Sequence, residues 1–130
     1  MALELNNTLR TAIADMVADA VDAGSANPAG QLVFLTAGDA VVSTIVFNNP
    51  AFGAASNGDV SLIVSPVVQD SSAVGGTPTK FEIQDRDGNV VLEGTVGTSG
   101  TEDIVLASAT IGIGETVKID SLTYSAPDAP

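Results

Sequence analysis

The sequence predicts an all-β domain, a sandwich or barrel of about seven or eight strands, with a single amphipathic helix ahead of it. Three observations carry that expectation. Helical periodicity is confined to residues 1–24. From Gln31 onward the chain becomes short β-rich runs divided by turn signals at about ten-residue spacing. The stretch Thr79–Gly100 reads as a strand, a tight acidic turn and a returning strand that leaves through glycines.

Leu9, Ile13, Met16, Val17, Ala20 and Val21 recur at helical spacing and form one apolar stripe. Asn7 or Thr8 can cap the start, and Gly24 can end the helix in a left-handed conformation. Asp15, Asp19 and Asp22 share another face, which reads as a solvated one because no further oxygen ligand lies near them in sequence. The expected organisation is an N-terminal helical arm, residues 1–24, and a β domain, residues 25–130. Gly24–Gly30 is a linker of small and turn-forming residues.

In Gln31–Thr36 the consecutive Leu32, Val33, Phe34 and Leu35 fit a strand covered on both faces. Ala40–Phe47 follows, stopped at Asn48-Asn49-Pro50 because proline cannot donate to a ladder. Val60–Val64 is a further strand, ended by Ser65-Pro66, and Val67–Gln69 extends it; Asp70–Pro78 is loop. In Thr79–Asp85, Phe81 and Ile83 alternate with polar residues, the pattern of a half-buried strand. Asp87-Gly88 signals a hairpin with a primed turn, and Val90–Leu92 returns.

Asp103–Leu106, Ala109–Ile113 and Thr116–Tyr124 complete the strands. In the last, apolar residues alternate on Val117 and Ile119 but resume one residue out of step on Leu122 and Tyr124, which predicts a bulge or bend near Asp120-Ser121. Ser125–Pro130 reads as a short, loosely held tail.

Composition excludes much. The 130 residues include no cysteine and no histidine, so cysteine nucleophiles, disulfides, thiolate zinc sites and histidine-dependent mechanisms are absent. Four basic residues face sixteen acidic ones, for a net charge of −12. Phosphate neutralisation needs clustered Lys and Arg, whereas Arg10, Lys80, Arg86 and Lys118 are scattered, so nucleic acid and anionic membranes are disfavoured partners. Neither a signal peptide nor a run of membrane-spanning length is recognisable, and synthesis inside the cell is the default expectation.

Three constellations invite chemistry, and each fails a test of spacing or composition. In Asp85-x-Asp87-Gly88-Asn89, an EF-hand would place glycine at the sixth position and glutamate at the twelfth, where this chain has Val90 and Val96. Gly94-x-x-Gly97-x-x-Gly100 lacks the lysine and the following helix of a phosphate loop and reads as a strand exit that needs unusual backbone angles. Glu93, Glu102 and Asp103 could form a glycosidase-like pair, but sugar platforms are aromatic, and the chain has four Phe, one Tyr and no Trp. The expectation is a protein without catalytic residues, metal site or cofactor. Phe47, Pro50 and Phe52 cluster in a turn-rich region and read either as core or, if exposed, as a partner-binding patch.

The N-terminal amphipathic helix, the early strand, Asn49–Ser56, Phe81–Gly88 running into Gly94–Gly100, and the closing Ile104–Leu106 and Val117–Tyr124 form a plan that resembles phage head decoration, or cement, proteins. The similarity covers most of the chain and its motifs are structural. The resemblance implies an antiparallel jelly-roll-like β-sandwich and a virion structural protein made in the host cytoplasm. It further implies a homo-oligomer, dimer or trimer, bound to the outer surface of the capsid and cementing neighbouring major capsid proteins. Leu9, Ile13, Met16, Val17, Phe47, Pro50 and Phe52 are then the candidates for capsid or oligomer contact. The alternative is a receptor- or glycan-binding β-sandwich module of a tail, fibre or other virion component.

Overall fold

A computed structural model describes residues 5–127. The protein is mostly β with one helix, in the order α1 (Asn7–Asp22), β1 (Gln31–Leu35), β2 (Val41–Val46), β3 (Asp59–Ser61), β4 (Val68–Asp70), β5 (Lys80–Gln84), β6 (Val90–Gly97), β7 (Ile104–Val105), β8 (Val117–Ile119) and β9 (Thr123–Ser125). Five strands form a curled sheet in the order β2-β1-β5-β6-β7, while β3 pairs with β9 and β4 with β8. The expectation of a purely antiparallel arrangement needs correction, because β7 runs parallel to β6.

Register places one apolar row across the sheet. Leu32 sits between Ile45 and Ile83, Phe34 between Ser43 and Phe81, and Ile83 faces Leu92. Val60, Leu62 and Val68 close over this row, with Ile119, Leu122 and Tyr124 packed half-buried against the same core. Leu32 to Leu35 are all buried, as the consecutive apolar run predicts. Ser43, wholly buried, donates its hydroxyl to Asp70 Oδ2 at 2.7 Å, so no polar atom is stranded there.

The predicted break near Asp120-Ser121 is present. The C-terminal strand divides there into β8 and β9, which join different ladders, and Leu62 to Val68 spans the same gap on the opposing chain. Other expected strands are shorter than read: Ala109–Ile113 keeps one isolated bridge, Gly76 to Ile111, Val60–Val64 and Asp103–Leu106 shrink to β3 and β7, and Val67–Gln69 does not extend β3 but gives way to the separate β4.

The hairpin between β5 and β6 forms where the sequence puts it, with a different turn. Asp87 does not take a positive φ; Gly88 does, at +86°, and its N–H donates to Asp85 O at 3.2 Å. This is a type I turn closed by a left-handed glycine, with the register shift of a bulge between Ile83 and Gln84. The glycine-spaced run is also reassigned. Of its three glycines only Gly100 has a positive φ. Gly94 is needed for contact: a Cβ there would lie 2.6 Å from the Phe81 ring and 2.5 Å from Asp103 Oδ2.

α1 is capped by Asn6, whose Oδ1 accepts the Leu9 N–H at 2.8 Å, so the cap lies one residue before Asn7 and two before Thr8, the expected caps. Ala23, in extended conformation, ends the helix, and Gly24 directly after it takes a positive φ, +109°, as expected. The helix belongs to the same core as the strands through Ala14, Ala18 and Val21. Gly30 allows the close approach, since a Cβ there would stand 2.7 Å from Val21. Arg10 completes the attachment, donating to Pro127 O, Asn57 O and Ala126 O, three backbone carbonyls on the β side. The tail reading is thereby corrected for its first part: Ser125 lies in β9, Ala126 is buried and its N–H donates to Gly58 O at 2.8 Å, while 128–130 lie outside the described residues.

Two stability outcomes follow from these contacts. Gly94→Ala overpacks the Phe81 ring and should cost about 1–3 kcal/mol in urea unfolding, with little change in slope. Arg10→Ala frees the Asn57, Ala126 and Pro127 carbonyls and should cost about 1–3 kcal/mol by the same measurement.

Candidate docking surface

The seven contact candidates separate by burial. Phe47 and Phe52 are 4% and 5% exposed and pack edge to face with ring centroids 6.4 Å apart. Of the two readings open for them, the structure places both in the core, as a specific aromatic pair beneath the Asn48–Ala51 turn. Pro50 between them is exposed. The turn is held by polar contacts: Ala51 N–H donates to Asp22 Oδ1 at 3.0 Å, Asn48 Nδ2 to Ile63 O and Pro66 O, and Asn49 Nδ2 to Pro28 O.

The helix candidates behave differently. The face buried on the strands is Ala14, Ala18 and Val21, which shares Val21 with the stripe that hydrophobicity picks out but is otherwise rotated from it. Leu9 and Met16 are consequently 47% and 69% exposed, and Ile13 and Val17 are half-buried along the edge. The helix therefore carries apolar residues on two adjoining faces, one of small side chains inward and one of large side chains outward. Asp15 and Asp19 flank the outward face and are exposed, while Asp22 is engaged by Ala51.

Carboxylates elsewhere are used as backbone acceptors. Asp87 Oδ1 accepts the Ser25 and Ala26 N–H groups at 3.0 and 2.9 Å, which pull its carboxyl below the ordinary range. Arg86 adds its Nε–H to Asn27 O at 2.7 Å, so the hairpin tip grips the linker after α1. Asp85 is lowered chiefly by the Asn89 N–H, with the Asn89 amide and Asp87 N–H on the same carboxylate. Burial works to raise Asp70, but the Ser43 hydroxyl and the Ser72 and Thr44 N–H groups outweigh it. Asp39 pairs with Lys80. Among the described residues no group of three or more carboxylates is placed to hold a metal ion, and no helix is long and apolar enough to cross a membrane.

Two surface features went unseen in the sequence. Val74 and Ile113, 63% and 90% exposed, project from loops joined by the Gly76–Ile111 bridge and by Gly114 N–H to Ala73 O at 2.8 Å. The second is an apolar trough between β7 and the β8–β9 arm, in two adjoining parts of about 310 and 230 Å³ that share Ile104 and Leu122. The signal for it was the weak, interrupted alternation of Ile104, Leu106, Val117, Ile119, Leu122 and Tyr124, all of which stay only half-buried.

The geometry offers apolar surfaces for contact, on the outward face of α1, at Val74 and Ile113, and in the trough. No protein-family model matches the chain, and neither curated proteins nor solved structures give a match.

The burial pattern predicts opposite mutational behaviour for residues of similar hydrophobicity. Met16→Ser should leave unfolding free energy within about 0.5 kcal/mol of the parent, whereas Phe52→Ala should cost about 3–5 kcal/mol. The lowered Asp85 and Asp87 carboxyls stabilise the fold above their ordinary value of 3.8, and that stability is lost as pH falls through their depressed folded values. An acid titration followed by circular dichroism should show Asp87→Ala less pH-sensitive than the parent below about pH 4.

Proposed function

We propose that this chain is a virion structural protein, a cement protein that binds the outside of a phage capsid and braces neighbouring major capsid proteins. The observation that carries the reading is the outward face of α1. A protein of net charge −12 keeps Leu9 and Met16 at the surface of a helix that is already docked, where they add nothing to its own core. In this reading the curled sheet and its two ladders form an open, jelly-roll-like sandwich that presents α1 to the shell. The acidic remainder faces solvent, away from packaged DNA. Leu9, Ile13, Met16, Val17 and Pro50 make the contacts, while Phe47 and Phe52 shape the turn that carries Pro50.

The mechanism is linkage. A ligand that binds only the assembled, expanded shell stabilises that shell in proportion to its occupancy. Purified protein should therefore add to expanded capsids and not to immature ones, and particles carrying it should release DNA at a higher temperature than stripped particles. Leu9→Ser/Met16→Ser should weaken addition at least about tenfold, the loss of roughly 1.4 kcal/mol or more of apolar contact, with the free protein's melting temperature unchanged. Equal binding by parent and variant, or stripped particles of undiminished heat resistance, contradicts the proposal. Labelled protein found only on tails would favour the receptor- or glycan-binding alternative.

A further inference from the structure

The trough between β7 and the β8–β9 arm has two properties that an ordinary crevice lacks. Its floor is the apolar row of the sheet, with Leu32, Phe34 and Ile45 under one part and Phe81, Ile83 and Leu92 under the other. Its two walls are strand edges. Among the described residues, β7 is hydrogen-bonded to β6 alone, β8 to β4 alone and β9 to β3 alone. On the β7 side, Leu106 N–H donates to Gly97 O at 2.8 Å. In a parallel ladder this turns the N–H and C=O of the preceding Val105 away from β6, toward the open side. Val105 lines the trough there.

An apolar floor between two unpaired edges suits one kind of occupant, an extended chain that lends side chains to the floor and backbone groups to the walls. Charge narrows the choice. Asp103 stands at one part of the trough, while Glu93 alternates onto the opposite face of the sheet with Glu82 and Lys80. At the other part Lys118 and Asp120 neutralise each other across 3.3 Å. A second copy of this chain is a poor donor. It carries the same net −12, Lys80 is paired with Asp39, and Arg10 and Arg86 are engaged with backbone carbonyls.

We infer that the trough is a strand-accepting slot for an extended segment of a different protein, alternating apolar and polar, with a basic residue where it passes Asp103. The slot is separate from the outward face of α1 and does not depend on the capsid reading. It gives the protein a second point of attachment, made by main-chain pairing, so that specificity comes from alternate side chains and one charge.

The test uses the whole protein and the synthetic peptide Lys-Val-Thr-Val-Thr-Val-Lys, blocked at both ends, with a counterpart in which both lysines are glutamate. Binding is followed by amide NMR and by tyrosine fluorescence, which reports this site because Tyr124 is the single Tyr, lines the trough and has no Trp to mask it. The basic peptide should bind saturably, perturb Ile104, Leu122 and Tyr124, and slow exchange of the Val105 N–H. The acidic peptide should bind at least about tenfold more weakly, a difference of roughly 1.4 kcal/mol.

Val105→Pro removes the edge donor while leaving the Leu106 bond to β6, and should weaken the basic peptide about three- to tenfold. Asp103→Asn, at an exposed position, keeps an oxygen for the Thr95 N–H but removes the charge; it should narrow the preference for the basic peptide, and it stands as the test if the proline variant melts early. Absence of saturable binding at millimolar peptide overturns the inference. So do equal binding of both peptides by the parent, perturbation confined to other surfaces, and a small apolar dye filling the trough while the peptide leaves the Val105 amide unprotected.

Discussion

How closely α1 lies on the strands decides most of what this protein presents to its surroundings. The contact is made by Ala14, Ala18 and Val21, with Gly30 leaving no side chain between helix and sheet. Small residues at a packing face let backbones approach, and the larger side chains of the helix are then turned elsewhere. Leu9 and Met16 are outside because the alanines are inside. Arg10 fixes the rotation by spending its guanidinium on carbonyls from Asn57, Ala126 and Pro127, which also ties the two ends of the chain together. The helix expected from sequence as an N-terminal arm thus shares the core of the strands, and its free face is held in a defined orientation.

Folding with so few cations constrains the rest. Sixteen acidic residues cannot be matched by four basic ones, and only two ion pairs form among the described residues. Carboxylates are instead pointed at backbone N–H groups: Asp22 at Ala51, Asp70 at Ser72, Asp85 at Asn89, Asp87 at Ser25 and Ala26, Asp103 at Thr95 and Glu115 at Gly112. Each is an ionised acceptor at a loop or turn, so charge is used to order segments that have little apolar burial. The linker after α1 is held by Asp87 in this way, which couples the hairpin tip to the helix. Asp85 and Asp87 are therefore more than idle surface charge: they order the turn and the linker.

What could be read in advance followed how strongly period and turn chemistry spoke. Phe81 and Ile83 alternate cleanly with polar residues, and β5 lies where they place it with both buried. Leu32–Leu35 announced a strand covered on both faces, and the slip between Ile119 and Leu122 announced the break between β8 and β9. The helix was legible as an element but not in orientation. Hydrophobicity ranks Leu and Met above Ala, whereas close packing selected Ala. The parallel pairing of β7 and the trough beside it left little trace, because strands of two or three residues have too short a period to read. Gly94 was noticed for its spacing, and only its position opposite Phe81 explains it.

The central claim is that the outward face of α1 is free in the isolated protein and covered on the particle. Met16 reports this directly, since its thioether is oxidised by peroxide at a rate that follows its accessibility. Mass spectrometry of peptides from free protein and from decorated capsids would compare the two states at that one residue. The account predicts fast sulfoxide formation at Met16 in the free protein, as 69% exposure requires, and marked slowing on expanded shells. Slow oxidation in the free protein would contradict the orientation of the helix, and equally fast oxidation on the shell would contradict its role as the docking face.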